Sequence, residues 1–386
     1  MYLDLNIPWP THHLNYLLQQ SSKKSKQTHS NPSKSHQTNI DIWHGISPQE
    51  KQNLRDLVEC AIKLGYSVIA FNLIIPQSLD PLLLAPHFPF PDDQPPFADL
   101  DPRTCSNSNS NHFDKTILQL SRLTLVMDEK GPSGAKGVFG FASSQATYLS
   151  QYSILSLMPL DSVAFSHACL SLSTPSPTGI DLISLDLASS SKLPFQMQLS
   201  TVSQALKNHV LFELNYSPTT SANRYLSYSS TNFPIVASST NCRRNLVSGA
   251  KDLIRVTNCG KGLVISSGAK TWSELRSGDD VVNFMNVVGI SHEFAKKATT
   301  ANPKAIVSKA RSTRLTHKGV ISNPIVVVSS LVNSESSTSL SSKDHGHINK
   351  NDGPLKRGFA STDSQTTSDS FVEDFKPSKR IKNQSS

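Results

Sequence analysis

The chain has 386 residues, with 37 Lys and Arg against 29 Asp and Glu and a formal charge of +8, a balance that favours a polyanionic partner over an acidic one. Its charged fraction of 17% and hydrophobic fraction of 37% are low for a wholly folded chain, so part of it is expected to be disordered. No stretch approaches the roughly 20 apolar residues of a membrane span, MYLDLNIPWP lacks the parts of a secretory signal, and the five cysteines form no C-x-x-C pair; these features exclude a membrane protein, a zinc ribbon and a redox motif.

Met1 to Ile7 reads as a first strand, followed over Thr11 to Thr38 by a polar, aperiodic segment that predicts a mobile insertion. Ser47-Pro48-Gln49-Glu50 is a capping-box pattern, and Leu54, Leu57, Val58, Ala61 and Ile62 mark the apolar face of the helix it starts, which Gly65 ends. Ser67 to Ile75 is β-branched and nearly all apolar, as a central parallel strand requires. The Pro-rich and Asn/Ser-rich stretch Pro76 to Asn111 reads as a second inserted loop. Further short strands are expected at Leu120 to Met127, Ser162 to Phe165, Leu182 to Leu187, Val210 to Tyr216 and Leu263 to Ile265.

Between the last two, Leu246, Ala250, Leu253 and Ile254 recur at helical spacing while Arg244, Lys251 and Arg255 share another face; Asn258 and Gly260 suit a helix stop. Val281, Phe284, Met285 and Val288 form a later helical stripe stopped by Gly289, and Ser291 starts another helix interrupted at Asn302-Pro303. The folded region is expected to span 1–314. Residues 315–386 read as a low-complexity tail ending in the basic cluster Lys376, Lys379, Arg380 and Lys382, which fits a nuclear-import signal, an RNA-contacting tail or plain solvation.

Strands alternating with helices imply a parallel α/β architecture, and the length fits a (β/α) barrel once the insertions are removed. A doubly wound open sheet competes, but Ile7-Pro8-Trp9-Pro10 stands where its glycine fingerprint would follow the first strand. A barrel directs attention to Asp4, Asp128, Asp186 and Glu213 near strand ends, yet no histidine pair accompanies L-D-L-N, and His12 and His13 fall in the polar insertion. No G-x-S-x-G elbow serves Ser266 and Ser267. As part of a Ser-Ser-Gly turn they are expected either to hold a phosphate, to bind a neighbouring loop or simply to close the barrel. No catalytic residue, metal or cofactor is assigned. The candidate RNA- or partner-binding set is Arg224, Arg243, Arg244, Lys251, Arg255, Ser266, Ser267, Lys270 and Arg276, against the alternative that a charged helix face is merely solvated.

LDLN at the start, LVECAIKLGYSVIAFN (Leu57 to Asn72), LSRLTLVM, VLFELNYSP (Val210 to Pro218), the Arg-Arg helix, GLVISSGA and ELRSGDDVVNFMNVVGIS occur in this order. Together they resemble the TIM-barrel protein subunit of nuclear ribonuclease P and ribonuclease MRP, a family with archaeal relatives. The resemblance implies a TIM-type barrel related to PHP phosphoesterase barrels that have lost their metal ligands. It implies a noncatalytic subunit of a particle whose RNA removes the 5′ leader of precursor tRNA, or processes precursor rRNA in the MRP particle. The implied partners are that catalytic RNA, precursor tRNA through the complex, a small α/β RNA-binding subunit and other protein subunits; the implied location is the nucleus and nucleolus. A free-standing metal-dependent phosphoesterase using Asp4, Asp186 and Glu213 is the alternative.

Overall fold

Seven parallel strands follow one another round the sheet in chain order: β1 Tyr2–Pro8, β2 Tyr66–Pro76, β3 Leu118–Met127, β4 Ile154–Pro159, β5 Leu182–Ser184, β6 Leu211–Asn215 and β7 Leu263–Ser266. This computed structural model describes residues 1–11, 43, 45–77, 79, 81, 88–105, 116–128, 141–221 and 241–314, and the backbone alone of 225–227, 235–237, 315–317 and 320–321. All lie within the unit Met1–Ile325. Arg224, nearly all of the first insertion and the basic end of the chain fall outside the described residues.

No ladder joins β7 to β1. The turn after β7 bridges them, with Gly268 N–H donating to Asn6 O at 2.9 Å and Ser267 N–H to Asp4 Oδ1 at 2.9 Å. The result is a nearly closed TIM-type barrel. Its uniform strand order excludes the doubly wound sheet, whose order reverses at a switch point.

Alternate residues of each strand turn inward and form layers. At the N-terminal ends of the strands Leu3, Leu5, Val68, Ala70, Leu120, Ile154, Leu182 and Val264 pack together, closed from below by Ile306. Ile74, Val126 and Met158 form a smaller apolar layer near the opposite end. Between them lies a buried polar layer that includes Asn6, Asn72, Arg122, Thr124, Ser156, Ser184, Glu213 and Ser266.

Outward residues such as Ile69, Phe71, Leu123 and Leu125 meet the helices. The first helix, α1 Pro48–Lys63, starts where the capping box places it: Ser47 Oγ accepts the Glu50 N–H at 3.3 Å and Glu50 Oε2 accepts the Ser47 N–H at 3.1 Å. It buries Leu54, Leu57, Val58 and Ala61, each large side chain contributing about 1.5–3 kcal/mol on full burial. The other longer helices are α2 Ser162–His167, α3 Leu199–Lys207, α4 Cys242–Val256, α5 Gly278–Val288, α6 His292–Thr299 and α7 Ala301–Leu315. Gly289 adopts φ 119° where α5 ends, which a β-carbon would strain. The break between α6 and α7 falls at Thr300, just before the expected Asn302-Pro303, so Pro303 sits where its missing N–H costs nothing.

One expectation is corrected. Ser162–Phe165 is not a strand; it is the start of α2, because Asp161 caps it, Oδ1 accepting the Ala164 N–H at 2.8 Å. The fourth strand is Ile154–Pro159 instead. The described part of the second insertion, 88–105, has the turns and irregular backbone of a loop, and it packs on the core. Phe88, Phe90 and Phe97 are buried against Trp9 and Phe71, and Asp101 is fully buried, holding Arg103 at 2.9 Å and the Gln119 N–H at 3.0 Å.

Candidate RNA and partner interface

The barrel's polar layer is built round one ion pair. Arg122 from β3 donates Nη1 to Glu213 Oε1 at 2.5 Å and Nη2 to Oε2 at 2.6 Å, and both side chains are 0% exposed. Nη1 also reaches Leu5 O at 2.8 Å, and Nε reaches Ser156 Oγ at 3.0 Å. Glu213 accepts further bonds from Ser266 Oγ at 2.7 Å, Ser184 Oγ at 2.8 Å and Asn6 Nδ2 at 3.3 Å. A carboxylate so fully engaged has no lone pair to offer a metal or a substrate proton unless the layer is dismantled.

The other carboxylates do not join it in a reactive cluster. Asp4 Oδ1 accepts the Asn6 and Ser267 N–H groups at 3.1 and 2.9 Å, while Oδ2 is enclosed without a partner. Burial pushes the Asp4 pKa up to about 6, partly countered by its hydrogen bonds with Ser267 and Asn6. Asp186 is half-buried and caps its own loop, accepting the Ala188 and Ser189 N–H groups at 3.3 and 3.2 Å. Among the described residues no three His, Cys, Asp or Glu side chains gather to hold a metal ion.

The Ser-Ser-Gly turn is drawn inward. Ser266 and Ser267 are buried; Ser267 Oγ donates to Asn6 O at 3.3 Å and accepts the Ala269 N–H at 3.0 Å. Gly268 takes φ 64°, and a β-carbon there would stand 3.2 Å from Asn215 Cβ. The N–H groups of residues 267, 268 and 269 thus all have internal acceptors, so the turn's geometry is that of a clasp between β7 and β1.

The basic helix keeps its cations outside. On α4, Leu246, Ala250, Leu253 and Val256 are buried, and Asn245 anchors the same side by donating Nδ2 to Ala188 O at 3.1 Å. Arg243, Arg244, Lys251 and Arg255 are exposed; at 100° per residue the last three share one narrow stripe. Arg255 has a loose contact of 3.5 Å with Asp252, and among the described residues no ion pair holds Arg243, Arg244 or Lys251.

Lys270 and Arg276 follow the clasp. The surrounding protein pulls the Lys270 pKa down to about 8, with Glu274 acting weakly the other way. Arg276 is exposed, its Nη1 donating to Ser273 O at 2.8 Å, and it flanks a 400 Å³ crevice with Tyr216, Thr219 and Phe284. Its backbone is fixed from both sides, O accepting from Tyr66 Oη at 3.0 Å and N–H donating to Tyr216 Oη at 3.1 Å. The candidate set is therefore divided: four cations on α4, two beyond the clasp, two serines inside the wall and Arg224 outside the described residues. Sequence reading missed Arg122, whose signal was a lone arginine inside the apolar run LSRLTLVM, matched by a lone glutamate in LFELN.

Residues 1–315 match the family model described as RNase P subunit p30. The chain is 27% identical to "Ribonuclease P protein subunit p30" of Mus musculus over 70% of this chain and 84% of that protein. It is 24% identical to "Ribonuclease P/MRP protein subunit RPP1" of Saccharomyces cerevisiae over 83% and 84%. With "Protein GAMETOPHYTE DEFECTIVE 1" of Arabidopsis thaliana it is 30% identical over 45% of this chain, which spans only 25% of that protein. A solved chain of an archaeal ribonuclease P with mature tRNA aligns with a TM-score of 0.40 and 11% identity, covering 73% of this chain and 95% of that one. On the strength of a match that runs from β1 to the end of α7, the chain belongs to the ribonuclease P p30 subunit family.

Proposed function

We propose that this chain is a noncatalytic protein subunit of the ribonuclease P and MRP ribonucleoproteins, a barrel on which RNA and other protein subunits assemble for removal of the tRNA 5′ leader and for rRNA processing. Membership of the p30 family over residues 1–315 carries the reading. The fully bonded state of Glu213 supports its noncatalytic part, because a phosphoesterase centre would need free carboxylate oxygens.

The exposed stripe Arg244, Lys251 and Arg255, with Arg243 beside it, suits an RNA backbone or an acidic subunit surface, while Ser266 and Ser267 act by holding the wall behind it. Eukaryotic relatives named as ribonuclease P or MRP subunits support a nuclear location, and the nucleolus is the compartment this reading expects. The folded platform is taken to end near residue 314, with the tail's basic cluster serving nuclear import or RNA contact.

Affinity purification of the full chain, followed by sequencing of the bound RNA, is the direct test. Recovery of the ribonuclease P RNA, the MRP RNA or both is expected. Absence of both, together with metal-stimulated phosphatase turnover that Asp4→Asn abolishes, would establish the free-standing enzyme instead.

A further inference from the structure

The end of the barrel opposite the clasp carries a second crevice, of 440 Å³, between α7 and the N-terminal ends of β3 and β4. One wall is apolar, formed by Phe90, Leu118 and Leu120. The other is cationic. Val307, Ala310, Arg311 and Arg314 project from one side of α7 at helical spacing, and all four line the crevice.

The charges there are not equally free. Arg103 spends every nitrogen: Nε and Nη2 on Asp101 at 3.0 and 2.9 Å, Nη2 also on Gln119 O at 2.7 Å, and Nη1 on Asp92. Arg314, its side chain only 2% exposed, donates Nη2 to Asp181 and Nη1 to Ser153 O at 3.3 Å, yet its buried Nε has no acceptor. Arg311 is exposed and, among the described residues, has no ion pair. Arg103 holds two aspartates and Arg314 one, so the three guanidinium charges are matched in number, yet among the described residues Arg311 itself faces no carboxylate and stands three positions from the under-satisfied Arg314. The buried Nε needs an acceptor at hydrogen-bond distance, whereas the exposed Arg311 is open to a carboxylate in a charge-assisted pair.

We propose that this crevice is a docking site for a protein partner that presents a single carboxylate next to an apolar side chain. The carboxylate meets Arg311 and the apolar group enters between Phe90, Leu120 and Val307. The volume lies within the roughly 300–1,000 Å³ of ligand-holding clefts. A nucleic-acid strand fits less well, because a polyanion would find one unpaired guanidinium, an apolar wall and the 73% exposed carboxylate of Asp92 at the rim. This contact lies at the strand ends remote from the clasp, where a barrel carries stability and attachment more than chemistry. It rests on the platform reading only for the partner's place in the particle.

The test uses the full chain with methyl-labelled Leu and Val, titrated with acetyl-Leu-Glu-Phe-amide and with its Gln counterpart, and separately with inorganic phosphate and a ten-nucleotide oligouridine. The expected result is shifts at Leu118, Leu120 and Val307 methyls with the Glu peptide, at least tenfold weaker with the Gln peptide and lost in Arg311→Glu. No shift at these methyls, equal response to both peptides, or a response to phosphate or oligouridine alone would overturn the proposal. In particles recovered through an Arg311→Glu chain, the RNA should remain while one protein subunit is depleted. Loss of the RNA from wild-type recoveries would instead defeat the function proposed above and leave the peptide result standing.

Discussion

Arg122 and Glu213 meet end to end inside the barrel, two N–H···O bonds of 2.5 and 2.6 Å joining β3 to β6 across 91 positions of sequence. Removing either partner leaves the other charge buried. Arg122→Met or Glu213→Leu should therefore each cost about 3–5 kcal/mol, whereas the double replacement should recover most of that loss because the layer can then pack as an apolar one. Urea unfolding of the three variants measures this. A double variant no better than either single would show that the surrounding serines and asparagines, not the ion pair, hold the layer.

Asp4 makes stability depend on pH. Its folded pKa of about 6 exceeds the ordinary 3.8, so between those values the folded protein binds the extra proton, and stability falls as pH rises from about 4 through about 6. Above that range the cost is complete, about 3 kcal/mol, since each pH unit between the two values is worth about 1.4 kcal/mol. Asp4→Asn keeps an oxygen for the Ser267 N–H but sets an amide where Oδ2 has no partner, so its net gain at pH 8 should be smaller, about 1–2 kcal/mol. Urea midpoints at pH 5 and pH 8 are the readout: the wild type should lose more stability between them than the variant, and parallel curves would refute the assignment to Asp4.

Arg314 and Asp181 tie α7 to the barrel floor, Asp181 Oδ2 also accepting the Leu155 N–H at 2.9 Å. Arg314→Met should cost about 3 kcal/mol through the unpaired carboxylate. Hydrogen exchange should rise first in α7. Uniform acceleration across β1 to β7 would mean that the cap and the barrel open as one unit.

Arg244→Ala with Lys251→Ala should change stability by no more than about 0.5 kcal/mol, since both side chains are exposed and, among the described residues, held in no ion pair. RNA binding should weaken, and the slope of log affinity against log salt should fall by up to about 2, near one for each phosphate no longer neutralised. An unchanged slope with normal particle recovery would mark this stripe as solvated surface.

Local signals in the sequence were read correctly where they act locally. Ser47 and Glu50 cap α1 within four residues, and the α4 stripe follows from 3.6-residue periodicity alone. The run SVAF misled because four apolar or small residues suit a strand or a helical turn equally, and the deciding cap was the preceding Asp161. Prolines hid Phe88, Phe90 and Phe97, whose place against Trp9 and Phe71 depends on tertiary packing. The inward facing of Ser266 and the Arg122–Glu213 pair depended on barrel closure, which brings residues far apart in sequence into one layer.

The clasp also sets a schedule for synthesis. Asp4 and Ser267 are 263 residues apart, so β1 leaves the ribosome long before the turn that covers its free edge exists. At about 5–20 residues per second the wait is on the order of 10–50 s, during which β1 presents unpaired backbone groups. Closure must therefore come late, and a nascent chain halted before Ser267 would offer that edge to other chains, making the barrel's last turn its safeguard against aggregation as well as its seam.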